Sequence, residues 1–325
     1  MGRSGGRCAG GRAQLGGGDG DPLMKVLVIG ATGYIGSVVT MHLRQQGHHV
    51  SALVRTPRSA PPGVPGHVAD LGDPTSIRPE LTAEVDAVVH AGAPPGDWDV
   101  EVASVRALLQ GLCGRQRTFV YLSGTWVLGR SPVLDGERTV LDEFSPVDPI
   151  DLVAGRERVE ALVADAVGCR GVVVRPGLVH GAGGGIPALM VSWARQQRRG
   201  WFVSAGEQVV WPMVHVDDLA ALVTRVLATG RGGPVVHAIA EPAVDVTAVA
   251  TAADVAAGGS GRAEPWPVAE AGHTLTPTFA AALATSQHVT GLEASSLGWR
   301  PTRPGVVEDL RRGSYLIGST AEPLG

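Results

Sequence analysis

The stretch MKVLVIGATGYIG, Met24 to Gly36, decides the fold. Lys25–Gly30 is a short apolar run closed by a glycine, the composition of a strand buried on both faces. Ile35–Gln46 then reads as a helix that ends at Gly47. Between them stand glycines at 30, 33 and 36. The first permits a tight turn, the second lets the backbone approach a pyrophosphate, and the third lets helix and strand pack closely. The helix start turns unpaired N–H groups and partial positive charge on the same spot. Gly30, Thr32, Gly33, Tyr34, Ile35 and Gly36 are therefore read as a dinucleotide cradle.

The chain repeats this alternation outward. His49–Val54 is a second strand and His67–Ala69 a short third, after a proline-rich loop at Pro57–Gly66. Val85–Ala91 is the fourth strand, Val102–Gly114 a helix and Thr118–Leu122 the fifth strand. A long loop at Gly129–Pro149 precedes a helix at Leu152–Val167 and a strand at Gly171–Arg175. Alternation of this kind predicts right-handed β-α-β units and an α/β fold with a doubly wound parallel sheet. Helices are expected at Ile186–Gln197, Asp218–Ala228, Thr247–Ala257 and Thr276–Leu283, with extended chain at Val209–Val216 and Val235–Ala240. Residues 24–180, with 205–240 returning to them, form the expected nucleotide-binding core. Residues 181–204 and 241–325 form a small C-terminal substrate lobe.

The choice of dinucleotide falls at the end of the second strand. An acidic side chain there binds bare ribose hydroxyls, but this chain offers Val54-Arg55-Thr56. Arginine pairs with a 2′-phosphate, so NADP(H) is favoured over NAD(H). Asp70, beside Leu71, follows the third strand, where a side chain reaches an adenine amine. Ala91, Gly92 and Ala93 are small enough to let a dinucleotide lie against the backbone.

With 27 basic and 31 acidic residues, the balance gives no electrostatic reason for a nucleic acid or membrane partner. Cys8, Cys113 and Cys169 show no metal-ligand spacing and no disulfide framework, which points to a reducing cytoplasm and no metal site. Residues 1–23 are dominated by glycine and arginine and carry too little apolar surface to order a backbone, so a disordered tail is expected.

Six segments in order give the chain a resemblance: GATGYIG at 30–36, VVHAGA at 88–93, YLSGTWVLG at 121–129, RPGLVHG at 175–181, VHVDDLA at 214–220 and LGWRPTRPG at 297–305. Together they resemble the extended and atypical branch of the short-chain dehydrogenase/reductase superfamily, the NAD-dependent epimerase/dehydratases. The resemblance implies a Rossmann-type core acting on small molecules, as a monomer or a homodimer. It also implies a catalytic tyrosine and lysine one helical turn apart, the tyrosine moving a proton as hydride transfers. Aligning the helix on Glu160 places Leu152 at the tyrosine position and Arg156 at the lysine position. Leucine carries no proton, and arginine is no proton relay near neutral pH, although it holds ribose hydroxyls.

Substitutes are Ser123 and Thr125, which flank Gly124 at the serine position, and His180, which stands where the family often has a tyrosine. Pro176 and Val179 are expected beside the nicotinamide. Tyr121 alternates within its strand and reads as core. His215, Asp217 and Asp218 read as a helix start, and Gly183–Gly185 as a mobile loop at the pocket mouth. The expected function is an NADP(H)-dependent oxidoreductase or epimerase/dehydratase-like enzyme on a small, fairly apolar carbonyl or hydroxyl compound. A non-redox isomerase, cyclase or dehydratase and a non-catalytic NADP-binding regulator are the competing readings.

Overall fold

The structure is a computed structural model describing residues 23–94, 96–114 and 117–316. The tail expected at 1–23 lies, but for Leu23, outside the described residues. Strand β1 (Lys25–Ile29) leads through the glycine turn into α1 (Tyr34–Gln45), followed by β2 (His49–Val54) and β3 (Gly66–Val68). After the short α2 (Glu80–Ala83), β4 (Ala87–His90), α3 (Trp98–Leu112) and β5 (Thr118–Leu122) build the other flank. A small hairpin, β6 (Val133–Leu134) and β7 (Glu137–Arg138), sits in the long loop before α4 (Arg156–Ala164) and β8 (Arg170–Pro176). Next come β9 (Leu178–His180), α5 (Gly185–Gln197), β10 (Gly200–Ser204), β11 (Val210–His215), α6 (Val216–Thr229) and β12 (Val235–Ala238). The last elements are β13 (Glu241–Asp245), α7 (Val246–Ala256), β14 (Ala263–Pro267), α8 (Val268–Thr274), α9 (Pro277–Leu283), α10 (Leu292–Ser296) and α11 (Val306–Arg312).

Seven strands form one parallel sheet in the order β12-β8-β5-β4-β1-β2-β3. The doubly wound sheet expected from the alternation is present, and the apolar runs explain why. In β1, Val26 and Val28 face α1 and α6, while Leu27 and Ile29 face α3 and α4, all fully or almost fully buried. Burying each such side chain contributes about 1.5–3 kcal/mol, so a strand with two covered faces must be apolar throughout. A second hydrophobic core gathers Met190 and Val191 of α5, Trp211 of β11, Val249 and Ala253 of α7, and Leu310 of α11. Among the described residues, no helix is long and apolar enough to cross a membrane.

Two expectations need correction. The helix expected over Leu152–Val167 is broken: residues 151–153 form a 3₁₀ turn, and α4 runs only from Arg156 to Ala164. The break is Gly155, held at φ +104, where an added Cβ would fall 2.3 Å from Trp98 Cδ1. The strands β9, β10, β13 and β14 were not expected. They are short, and β13 and β14 carry prolines, so neither alternation nor a long apolar run marks them.

Candidate active site

The glycine turn forms the floor of a cavity of about 630 Å³ at the carboxyl edge of the sheet. Gly30 takes φ +78, and a Cβ there would sit 2.6 Å from Ala91 O. Only glycine lets β1 and β4 end so close together. Gly33 is the N-cap of α1; no side chain caps this helix and no acidic residue occupies its first turn. The helix start is thus left open for an anion. Thr32, Arg55, Asp70, Leu71, Ala91, Gly92 and Ala93 line the same cavity, as the sequence led us to expect. One Asp70 oxygen accepts from Gly72 N at 2.9 Å.

Gly36 lines no cavity. Its role is packing, since a Cβ there would lie 2.0 Å from Gly30 O. Gly36→Ala is expected to destabilise the fold by about 1–3 kcal/mol through overpacking and to weaken dinucleotide binding. A thermal melt and a nucleotide titration matching the parent protein would remove this account of the turn.

A second cavity of about 270 Å³ is lined by the next residues along the chain, Tyr34 and Ile35, which open α1. Ser123, Thr125 and Arg156 line it, as do Pro176 and Val179. These expected residues are brought together. Trp126, which follows Thr125 past the fifth strand, lines it too, and so do Val127, Val153, Leu178 and Ile186, which sequence reasoning did not single out for the site. Of the other tryptophans, Trp211 and Trp299 are buried in cores, and Trp193, Trp201 and Trp266 surround a separate cavity.

Leu152 packs with Val127, Leu128 and Ile239 instead of lining the cavity. No other residue rebuilds the missing pair. The only lysine in the chain, Lys25, opens β1 at the far end of the sheet. Of the three tyrosines, Tyr121 is core as expected, and Tyr315 and Tyr34 are committed to a glycine loop. Tyr34 Oη donates to Gly181 O at 2.8 Å, Tyr315 Oη donates to Gly184 O at 2.8 Å, and Gly181 N donates to Tyr315 Oη at 2.7 Å. Burial pushes the Tyr34 phenol far above its ordinary range, so it stays protonated. The loop expected to be mobile is therefore hydrogen-bonded from two sides.

His180 is a second correction at the site. It lines neither cavity and is 1% exposed, with Nδ1 3.5 Å from Asp309 Oδ2 and its ring edge-on to His215 at 5.1 Å. Strand β9 turns it toward α11, away from the substrate side. The side chain that caps α6 is His215, whose Nδ1 accepts from Asp217 N at 3.2 Å. Asp217 and Asp218 occupy the first turn, favourable for the helix dipole. Asp218 accepts from the backbone N–H of Thr302 and Arg303.

A buried pair beneath the site escaped the sequence reading. His90, closing β4, and Glu101 on α3 are both 0% exposed, with Nε2 and Oε1 3.5 Å apart. Neither side chain makes a hydrogen bond. Burial pushes the Glu101 carboxyl up to about 7, with the Arg156 charge pulling it partly back. Burial pushes His90 down to about 4. Both groups are thus held neutral between about pH 4 and pH 7.

A glycine cradle on a parallel sheet, adjoining a small mixed-polarity cavity, defines a dinucleotide-binding α/β protein. The profile of the NAD dependent epimerase/dehydratase family matches residues 26–240, and the chain belongs to that family. It is 28% identical to an uncharacterized protein of Saccharomyces cerevisiae, over 89% of this chain and 98% of that one. It is 30% identical to the epimerase family protein SDR39U1 of Bos taurus, over 69% of this chain and 76% of that one. Human SDR39U1, solved with NADPH, superposes with a TM-score of 0.71 at 22% identity, covering 90% of this chain and all of that one. Thermus thermophilus UDP-glucose 4-epimerase, solved with NAD, gives 0.69 at 21% identity, covering 89% of this chain and 97% of the other.

Proposed function

We propose that the chain binds NADP(H) in preference to NAD(H) and acts on a small, fairly apolar carbonyl or hydroxyl compound. It does so as an oxidoreductase or an epimerase/dehydratase-like enzyme with a non-standard proton relay. The observation that carries this reading is that consecutive residues at the start of α1 line both cavities. Thr32 and Gly33 face the dinucleotide side, and Tyr34 and Ile35 face the small cavity that also holds Ser123, Thr125 and Arg156. The donors and shape of the larger cavity fit a dinucleotide: an uncapped helix start, a glycine that admits no Cβ, and Arg55 on the wall where a 2′-phosphate would lie.

The nicotinamide supplies or accepts a hydride when bound. The chain's own part is to hold and polarise. Arg156 and Ser123 stabilise negative charge on a substrate oxygen from positions partly or fully withdrawn from solvent, where such donors act more strongly than in bulk water. The hydroxyls of Ser123 and Thr125 are the groups placed to pass a proton, in place of the absent tyrosine. A human relative solved with NADPH supports the cofactor preference. The missing tyrosine and lysine favour, as a second reading, non-redox chemistry or regulation on the same scaffold.

Calorimetric titration with NADPH and NADH tests this. Tighter NADPH binding is expected, with Arg55→Ala removing a preference of about tenfold or more, the equivalent of 1.4 kcal/mol. If neither nucleotide binds at millimolar concentration, the redox reading falls. Equal affinity for both in the parent protein would overturn the cofactor preference alone.

A further inference from the structure

Arg156 stands at the wall of the small cavity without a counter-ion. Among the described residues its guanidinium makes no ion pair and no hydrogen bond, and its Nε is buried with no partner. It is held in place by the Trp98 ring, whose centroid lies 5.5 Å from its Cζ. The acids around it are engaged elsewhere. Glu157 accepts from Gly155 N at 2.8 Å, Asp99 accepts from Arg158 Nη2 at 2.5 Å, and Glu160 is taken by Arg175. Glu101 is buried beside His90 with no donor on either oxygen, an environment that keeps a carboxyl protonated.

Two other polar groups of the lining repeat the pattern. Ser123 Oγ and Trp126 Nε1 are buried with no hydrogen-bond partner, and the indole N–H is a donor only. No acidic side chain lines the cavity. A partly buried cation and unsatisfied donors on residues that line one small space carry a free-energy cost that an anionic acceptor relieves. At about 270 Å³, against the ~300–1,000 Å³ common for ligand sites, the space admits only a compact molecule.

We infer that the substrate is a small carboxylate-bearing carbonyl compound, a 2-oxo or 3-oxo acid, with its carboxylate on Arg156 and its carbonyl oxygen toward Ser123 and Trp126. This rests on the reading of the small cavity as the substrate site. The apolar walls, Ile35, Val127, Val153 and Ile186, then hold a short hydrocarbon chain.

The test uses matched probes on the purified full chain: 2-oxobutanoate against butan-2-one, and phenylpyruvate against phenylacetone. Binding is read by saturation-transfer NMR and by quenching of tryptophan fluorescence, with and without NADP+. The acids are expected to bind at least about tenfold tighter than their neutral partners. Arg156→Gln removes that preference with an unchanged melting curve, and Trp126→Phe, which keeps the ring and deletes the donor, weakens acid binding several-fold. Acids and ketones binding alike, no binding of either, or an acid preference that survives Arg156→Gln each overturns the inference. A failure of the cofactor reading shows separately, as absence of NADP(H) binding, while the probes without NADP+ still decide the substrate class.

Discussion

Replacing Glu160 by alanine is expected to lower stability by about 3–5 kcal/mol, because it strands a buried guanidinium. Arg175 ends β8 and Glu160 lies on α4; their side chains are each 5% exposed. Nε lies 3.1 Å from both carboxylate oxygens, and Nη2 donates to Oε2 at 2.5 Å. The pair is therefore closed on itself, and losing the acid leaves a charge that neither water nor another carboxylate reaches. Arg175→Met with Glu160→Leu is expected to recover most of the loss, since an apolar pair of similar volume also satisfies a buried space. Urea denaturation of the two variants measures both. A cost below about 1 kcal/mol for Glu160→Ala would show that water reaches the site.

The second large effect concerns Glu101 and depends on pH. In the folded chain Glu101 keeps its proton to about pH 7, whereas an unfolded carboxyl releases it near 4.5. His90 in the fold takes a proton only below about 4, against 6.5 when unfolded. Between 4.5 and 6.5 each state holds one proton on the pair, on Glu101 when folded and on histidine when unfolded. The pair thus adds almost no slope there, although it makes the fold less stable at every pH in that range. Above pH 7, Glu101 ionises in the fold with no donor to receive the charge.

Glu101→Gln keeps the shape and removes the ionisation. At pH 8 it is expected to stabilise the chain by about 2–3 kcal/mol, an advantage that shrinks as pH falls to 4.5, where the native carboxyl is neutral in both states. The variant itself then loses stability as pH drops from 6.5 to 4, because only the His90 term remains. Denaturation curves at pH 5, 6.5 and 8 check this. An equal effect at pH 5 and pH 8 would mean that Glu101 is not buried as described.

The parallel sheet and the phosphate cradle were legible because their signals are local. An apolar run such as Lys25–Gly30 has few alternatives to a strand covered on both faces, and glycines at 30, 33 and 36 carry their geometry in their spacing. The substrate side was less legible because it is assembled from distant segments. Nothing near Val153 or Ile186 marks them as lining one cavity, and nothing links His90 to Glu101 before β4 and α3 are laid side by side. His180 shows the limit of reading a family position. The residue stands where a tyrosine is common, but Asp309 and His215 turn it inward. Glu160, used only to align the helix, proved to be half of a buried ion pair.

The glycine loop held by Tyr34 and Tyr315 has a consequence for how the molecule comes into being on the ribosome. The sheet grows in an order that suits emergence from an exit tunnel: β2 and β3 add beyond β1, then β4, β5, β8 and β12 extend the other flank one after another. The cradle has all its residues by Ala93. The loop beside the small cavity must wait for Ser314 and Tyr315, made far later. The residues that line the cradle are thus made long before those that complete the mouth of the second cavity.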